Sequence, residues 1–345
     1  MVSAAMSLWL VGAPEDTAAP TGAGDSPRAG SVALTAPLLP LPPGQPGIWF
    51  HEAMSAEQGR APRVEVWLPA YRGKSLVPLL GWLVATRLAS PDAEVTWWLE
   101  KRQGPGSVAR MLTELGWRQI TRERDGRRIR LTGLPPAAAA VRPDPACFTG
   151  RIGATDLTLA ADYGVFSPKR IDDGTALLAE VALAEAALAE AALAGAPDTA
   201  AGGRAGPPAD AVADIGVGYG ALAVGLVASG LARRAVATDI DSVALWLAGQ
   251  NARRHGVDLT VACTPVPTDV PPTALTVCNI PTHIDAAASA SLMAGLARRA
   301  TYGRLLIVVH QSLEQRYARH LTQAGLAVDR HPGPAHTVLS ARPRP

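Results

Sequence analysis

Three short stretches of this chain carry the residue types of a single nucleoside-handling site. They are Asp214-Ile215-Gly216-Val217-Gly218-Tyr219-Gly220, then Thr238-Asp239-Ile240-Asp241, then Cys278-Asn279-Ile280-Pro281-Thr282-His283. Gly216, Gly218 and Gly220 have no Cβ, so a turn built from them takes positive φ and lets main-chain N–H groups approach a ligand closely. Asp214 opens that turn and is expected to bind the cofactor together with it. Asp239 follows at the ~20-residue spacing where a carboxylate at the next strand end accepts hydrogen bonds from both ribose hydroxyls. Asp241 competes for the role, but a short acid just before Val243-Ala244-Leu245 suits a helix N-cap.

The third stretch supplies acceptors. An exocyclic amine on a base is a weak nucleophile because its lone pair is delocalised into the ring. The Asn279 side-chain oxygen and the Ile280 carbonyl, both accepting from that amine, would localise the pair and aim it at an electrophilic methyl group, alignment counting for more than proton abstraction. Pro281 shapes the turn, and His283 either assists proton removal or is a plain turn histidine. A glycine-rich turn alone serves dinucleotides as readily as S-adenosylmethionine. The three strand ends in this order point to S-adenosylmethionine.

Those residues need a parallel sheet to bring them to one rim, the rim where open α/β sheets bind ligands. The pattern from residue 211 onward predicts strands near 212–216, 234–239, 258–263, 273–279 and 303–309, then a pair near 326–330 and 336–341 with no helix between them. Helices are predicted near 220–231, 242–254, 285–299 and 312–324, after one long Ala/Leu/Glu helix over 175–193. This is a doubly wound α/β sheet. Tyr219 at the helix start either covers the cofactor or packs there.

A smaller α/β unit precedes it. Val64-Glu65-Val66-Trp67-Leu68 and Glu94-Val95-Thr96-Trp97-Trp98-Leu99 read as strands, and Leu76, Leu79, Leu80, Leu83 and Val84 form a helical apolar stripe. Its strand ends lack a glycine fingerprint, so a nucleotide cofactor is not expected there. Arg118, Arg122, Arg124, Arg127, Arg128 and Arg130 surround an Asp125-Gly126 hairpin turn. Such an arm lies along RNA phosphates or is simply a solvated hairpin in an arginine-biased chain. Pro- and Gly-rich composition over 14–47 reads as an unstructured leader, and an Ala/Pro linker over 135–145 separates the units. The expected division is a leader over 1–47, a first domain over 48–142 and a catalytic domain over 143–345.

Composition restricts the rest. The 345 residues are 48% hydrophobic, enough for two buried cores, and no apolar run reaches the roughly 18 residues of a bilayer span. The N-terminal apolar stretch lacks a positively charged flank, so a secretory signal is not expected. Cys147, Cys263 and Cys278 show no metal-ligand spacing, which argues against a zinc site or disulfide framework and for a reducing cytoplasm. The net charge of +2 gives no polyanion signal for the whole chain.

The order Asp-x-Gly-x-Gly-x-Gly, an Asp after the second strand and an Asn-x-Pro tetrapeptide after the fourth resembles the small-domain class I methyltransferases, above all the bacterial 16S and 23S rRNA guanine-N2 enzymes. Val64-Glu65-Val66-Trp67-Leu68-Pro69 and Trp98-Leu99-Glu100-Lys101-Arg102 look like the degenerate N-terminal half of that family. Gly164-Val165-Phe166-Ser167 and Ile171-Asp172-Asp173-Gly174-Thr175 are similar to its entry segment beside the cofactor. The resemblance covers residue 60 to near the C-terminus. It implies a seven-stranded Rossmann-like methyltransferase domain and S-adenosylmethionine as cofactor. It further implies N2 methylation of guanine in ribosomal RNA, with rRNA or a ribosomal subunit as partner. By the same resemblance Phe166, Ser167 and Asp172 line the cofactor or target pocket, although their chemistry alone reads as a turn and a helix cap. Thr264 takes the adenine-side place after the third strand, Thr282 and His283 flank the target base, and Arg127 and Arg128 meet RNA. Two elements depart from the family pattern: in the tetrapeptide Ile280 stands for a proline and Thr282 for an aromatic residue that would stack on the base, and after the third strand Cys263-Thr264 stands for a polar pair that often includes an acid near the adenine. A small-molecule amine as substrate, or a catalytically silent RNA-binding protein, are the competing expectations.

Overall fold

The computed structural model describes residues 6–12, 28–35, 47–56, 58–69, 72–138, 140–194, 209–282 and 284–344. They form two units. The first runs to Ala146 and takes back Asp162–Phe166; the second holds Cys147–Ala161 and the chain from Ser167.

In the first unit the strands are β1 (Met6–Val11), β2 (Arg28–Ala33), β3 (Ile48–Trp49), β4 (Ala61–Trp67), β5 (Ala89–Glu100), β6 (Arg118–Asp125) and β7 (Arg128–Leu134). Between them lie α1 (Phe50–Ala53), α2 (Leu76–Leu83) and α3 (Pro105–Glu114). The sheet order is β3-β2-β1-β4-β5-β7-β6, parallel except where β7 joins. The predicted apolar stripe is real: Leu76, Leu79, Leu80, Leu83 and Val84 are all fully buried, each burial contributing roughly 1.5–3 kcal/mol. Below them Trp97 meets the edge of Trp117 at 5.8 Å.

The leader expected over residues 1–47 is corrected by this sheet. β1 is an interior strand, flanked by β2 and β4, and Leu8, Trp9, Leu10, Val11 and Val32 are buried. Two runs of six residues, MSLWLV and RAGSVA, are too short to stand out from Pro- and Gly-rich surroundings. A parallel sheet nevertheless needs only such short apolar runs for strands covered on both faces.

The second unit opens with a hairpin of β8 (Cys147–Ile152) and β9 (Thr155–Ala160), absent from the sequence expectations, and continues with α4 (Asp173–Ala194). Its main sheet has β10 (Ala209–Ile215), β11 (Ala232–Asp239), β12 (Asp258–Cys263), β13 (Leu275–Asn279), β14 (Arg304–His310), β15 (Leu326–Pro332) and β16 (His336–Pro343). The helices are α5 (Ala221–Ala228), α6 (Ser242–Arg254), α7 (Ala286–Arg299) and α8 (Gln311–Gln323). The order β12-β11-β10-β13-β14-β16-β15 repeats that of the first sheet. β15 and β16 pair antiparallel without an intervening helix, as the pattern predicts. α5, Ala-Leu-Ala-Val-Gly-Leu-Val-Ala, is apolar all round because it is covered all round. Asp241 caps α6, accepting from Val243 N at 3.0 Å and Ala244 N at 3.2 Å. Among the described residues no helix is long and apolar enough to cross a membrane, and no His/Cys/Asp/Glu cluster could hold a metal ion.

Candidate active site

β10, β11, β12 and β13 run parallel in adjacent positions, so their carboxyl ends bring all three sequence stretches to one rim of the second unit. The turn after β10 has φ values of +76° at Gly216, +55° at Gly218 and +88° at Gly220. A Cβ on Gly216 or Gly218 would meet nothing within 4 Å, whereas one on Gly220 would press on Ala248 at 3.1 Å. The first two glycines leave an open face for a ligand, and the third lets α5 and α6 pack closely.

Two acids brace this turn differently. The Asp214 carboxylate is buried beneath it and accepts from Ala223 N at 3.0 Å, in the first turn of α5. Burial raises its pKa to about 7, offset by the Ala223 hydrogen bond and reinforced by the Asp239 charge. Asp214 therefore serves the loop through the helix, in place of the direct ligand contact expected of it. Asp239 reaches across instead, its two oxygens accepting from Gly218 N at 2.8 Å and Asp241 N at 2.9 Å. That fixes a half-buried carboxylate, an acceptor of the kind a hydroxyl needs, beside the open glycine face. The cradle thus fits a ribose.

After β12, Thr264 N donates to the Asp239 carbonyl at 3.0 Å and the Thr264 hydroxyl to Asp269 at 2.5 Å. Asp269 is an acid at this edge that the sequence reading passed over, being six positions beyond the strand end. Buried Arg299 holds the following loop by donating to the carbonyls of Pro267, Val270 and Pro271 and to the hydroxyls of Thr273 and Thr276.

At the end of β13 the Asn279 amide nitrogen donates to Asp172 Oδ1 at 3.1 Å and Thr175 Oγ1 at 3.0 Å. Because the amide is planar, anchoring its nitrogen there turns its oxygen the other way. The same Asp172 oxygen accepts from Gly174 N and Thr175 N, both at 3.1 Å, capping α4. Asp172 is therefore the expected helix cap and also the residue that sets the Asn279 amide. Thr175 was missed; its only signal is its place three residues after a capping acid. Ile280 buries its side chain in the core with Ile215, Met293 and Ile307 and pairs its N–H with Val308 O at 3.2 Å, so it contributes its carbonyl alone. Pro281 and Thr282 are exposed. Cys278, adjacent to Asn279, is no nucleophile, because burial and the charges of Asp214 and Asp239 push its thiol pKa well up.

The remaining predicted residues are dispersed. Ser167, at φ +49°, closes a turn onto Arg170 O at 2.7 Å. Tyr219 is buried, donating to Arg170 O at 3.2 Å and standing edge-on to Phe148, so it packs at the helix start. Phe166, 73% exposed, belongs to the first unit, as do Arg127 and Arg128 at the tip of the β6–β7 hairpin. The hairpin turn itself forms as the Asp125-Gly126 pair predicts, with Gly126 at φ +57°. His283 lies outside the described residues. Two other histidines border this site: His310 ends β14, next to β13, and packs edge-on at 5.7 Å against His336, which lies beside the Asp172-Gly174 turn.

Residues 156–327 match the family model described as the methyltransferase small domain. Among solved structures, the T. thermophilus 16S rRNA N2 G1207 methyltransferase, in complex with AdoMet and guanosine, is 18% identical with a TM-score of 0.68. The match covers 100% of this chain and 90% of that one. The ribosomal protein L11 methylase of Lactobacillus delbrueckii subsp. bulgaricus is 20% identical with a TM-score of 0.40, over 57% of this chain and 98% of that one. Magnesium protoporphyrin IX methyltransferase of Synechocystis PCC 6803 is 16% identical with a TM-score of 0.36, over 47% and 78%. No curated protein matches. With a matched segment that spans the whole rim formed by these strand ends, residues 156–327 belong to the methyltransferase small domain family, and the chain is an S-adenosylmethionine-dependent methyltransferase.

Proposed function

We propose that the chain methylates the exocyclic N2 amine of a guanine in ribosomal RNA. The observation that carries this reading is the anchored Asn279 amide, whose nitrogen is taken by Asp172 and Thr175. Its oxygen is thereby committed to accepting, and with the Ile280 carbonyl it offers two acceptors to the two N–H bonds of a planar amine. When bound, S-adenosylmethionine supplies an electrophilic methyl group. Asp239 would accept from the ribose hydroxyls, the Gly216–Gly220 main chain would lie against the nucleoside, and Thr264 with Asp269 would border the adenine. Asp172 and Thr175 hold the acceptor oxygen in place before substrate arrives, so no reorganisation is needed during the reaction. Support for guanine in rRNA comes from the fold shared with the T. thermophilus enzyme and from the arginine-rich hairpin carrying exposed Arg127 and Arg128.

Exposed Thr282 favours a second reading, a small-molecule amine. An aromatic residue there would stack on the base, a contact worth roughly 1–3 kcal/mol. The deciding experiment is mass spectrometry of modified nucleosides in rRNA from cells with and without the gene. Loss of an N2-methylguanosine on deletion is expected. An unchanged rRNA profile, with labelled methyl transfer to a small molecule in extract, would replace the first reading by the second.

A further inference from the structure

The first unit keeps the backbone of the cofactor rim while losing its polar side chains. Gly12 N donates to Val32 O at 2.9 Å, as Gly216 N does to Thr238 O at 2.8 Å, and Leu68 N donates to Trp98 O at 3.3 Å, as Ile280 N does to Val308 O at 3.2 Å. These bonds set the two sheets in register, placing Leu10 where the second unit has Asp214, Ala33 where it has Asp239 and Trp67 where it has Asn279. The glycine face is also filled: a Cβ on Gly12 would meet Leu34 Cδ1 and the Trp67 carbonyl, both at 2.8 Å. The Leu68 carbonyl, counterpart of that of Ile280, is taken by the Gln103 amide at 2.7 Å. S-adenosylmethionine has no place there.

A cavity of about 150 Å³ nevertheless remains at this rim, between Trp67, Trp98, Glu100, Gln103 and Arg128. Trp67 and Trp98 lie nearly parallel, 17° apart with centroids at 6.1 Å. Trp98 is half-buried and oriented by a bond from its Nε1 to Glu65 at 3.0 Å. Trp67 is 7% exposed, and its buried Nε1 has no hydrogen-bond partner among the described residues. Arg128, the first residue of β7, connects the cavity to the hairpin with exposed Arg122, Arg124 and Arg127.

We infer that this vestigial rim binds one unpaired nucleotide of the RNA substrate, the base against the Trp98 face and the flanking phosphate on Arg128. An aromatic face with cationic neighbours is the combination that holds single-stranded nucleic acid, the stacking tolerating any base and the arginines tracking the backbone. Glu100 on the same wall is held by Arg102, whose Nε donates to it at 2.6 Å, which leaves Arg128 as the cation of the wall for a phosphate. The inference rests on RNA being the substrate, but its readout is binding and not methyl transfer.

The test is fluorescence anisotropy of the full chain with a labelled single-stranded oligoribonucleotide of about ten nucleotides, for wild type, Trp98→Leu and Arg128→Ser. Calorimetric affinity for S-adenosylmethionine serves as the check that the second unit is intact. Loss of one base–aromatic contact predicts roughly tenfold weaker RNA binding in Trp98→Leu. Arg128→Ser, an exposed change that cannot disturb the core, should weaken binding severalfold and make its salt dependence shallower by about one ion. Oligonucleotide affinities within twofold of wild type in both variants would overturn the inference, as would two S-adenosylmethionine sites per chain. Either result leaves the proposed methyl transfer standing.

Discussion

Asp172→Ala should slow methyl transfer far more than it weakens cofactor binding. The Asn279 amide nitrogen has two partners, a carboxylate oxygen at 3.1 Å and a hydroxyl at 3.0 Å. A hydrogen bond to a charged acceptor contributes roughly 1.5–3 kcal/mol and a neutral one about 1 kcal/mol. Without Asp172 the stabilisation of the orientation that presents the oxygen drops by the larger amount; where all of it must be made up in reordering the amide at the transition state, kcat falls by at most roughly 10- to 150-fold. The cofactor cradle is braced by the bonds from Gly218 N and Asp241 N to Asp239, which the substitution leaves in place, so the dissociation constant for S-adenosylmethionine should change by less than about threefold, well under the ~1.4 kcal/mol of a tenfold effect. Asp172 also caps α4 through two N–H groups, and losing a cap costs about 0.5–2 kcal/mol of stability. Asp172→Asn separates the roles: asparagine caps as well as aspartate, yet the charge on the anchor is gone. It should keep the melting temperature and still lose roughly fivefold in kcat, since a neutral bond is about half as strong. Thr175→Val removes the weaker bond alone. The assay is single-turnover transfer of labelled methyl to the rRNA substrate, with calorimetry for the cofactor. In a double-mutant cycle the pair Asp172→Ala/Asn279→Ala should be no slower than Asn279→Ala, because the anchor acts only through the amide. Additive losses, or an Asp172→Ala enzyme with wild-type kcat, would refute the reasoning.

Three further outcomes test other parts of the site. Asp239→Ala should weaken S-adenosylmethionine binding by at least tenfold in calorimetry, since a charged acceptor for two hydroxyls is removed; unchanged affinity would move the ribose contact elsewhere. Replacing Arg127 and Arg128 together should reduce the salt slope of binding to ribosomal particles by about two ions, and a flat salt response in the wild type would favour the small-molecule amine. Asp214 makes stability pH-dependent: its folded pKa of about 7 lies above the ordinary 3.8. The protonated acid's advantage is therefore full below pH 3.8 and is lost as pH rises toward 7, by up to about 4 kcal/mol at 1.36 kcal/mol per unit. Asp214→Asn, which can still accept from Ala223 N, should abolish that decline in melting temperature between pH 4 and 8, and parallel curves for the two proteins would contradict the assignment.

How much of this is legible in the sequence depends on whether the signal is local. The turn from Gly216 to Gly220 and the capping role of Asp241 are written in neighbouring residues, and the strand-to-helix alternation of the second unit is written in its periodicity. β1 and β2 were illegible because six-residue apolar runs in Pro- and Gly-rich surroundings acquire meaning only when a sheet forms on both sides of them. The Asn279 anchor was half legible. Asp172 declares itself as a cap by its place before Gly174-Thr175, but its bond to Asn279 spans 107 positions and no pattern within either segment announces it. Asp214 shows the opposite failure. A motif reading groups it with the ligand-touching glycines, whereas its burial and its bond to Ala223 place it one layer deeper.

The repeated sheet sharpens what distinguishes a cofactor site from a copy of its scaffold. Both units have one strand order, a positive-φ glycine after the first central strand and the same two inter-strand bonds at the rim. Backbone alone therefore cannot be what selects the nucleoside. The side chains at the rim differ: Leu10 stands where the second unit has Asp214, Ala33 where it has Asp239, the proposed acceptor for the ribose, and Trp67 where it has Asn279, the proposed acceptor for the amine. Restoring a single one of these would leave the others missing and Leu34 still against the glycine, so Ala33→Asp should add no second S-adenosylmethionine site. Function here is carried by polar substitutions on a duplicated frame, which is why fold likeness identifies the frame and only the rim residues identify the chemistry.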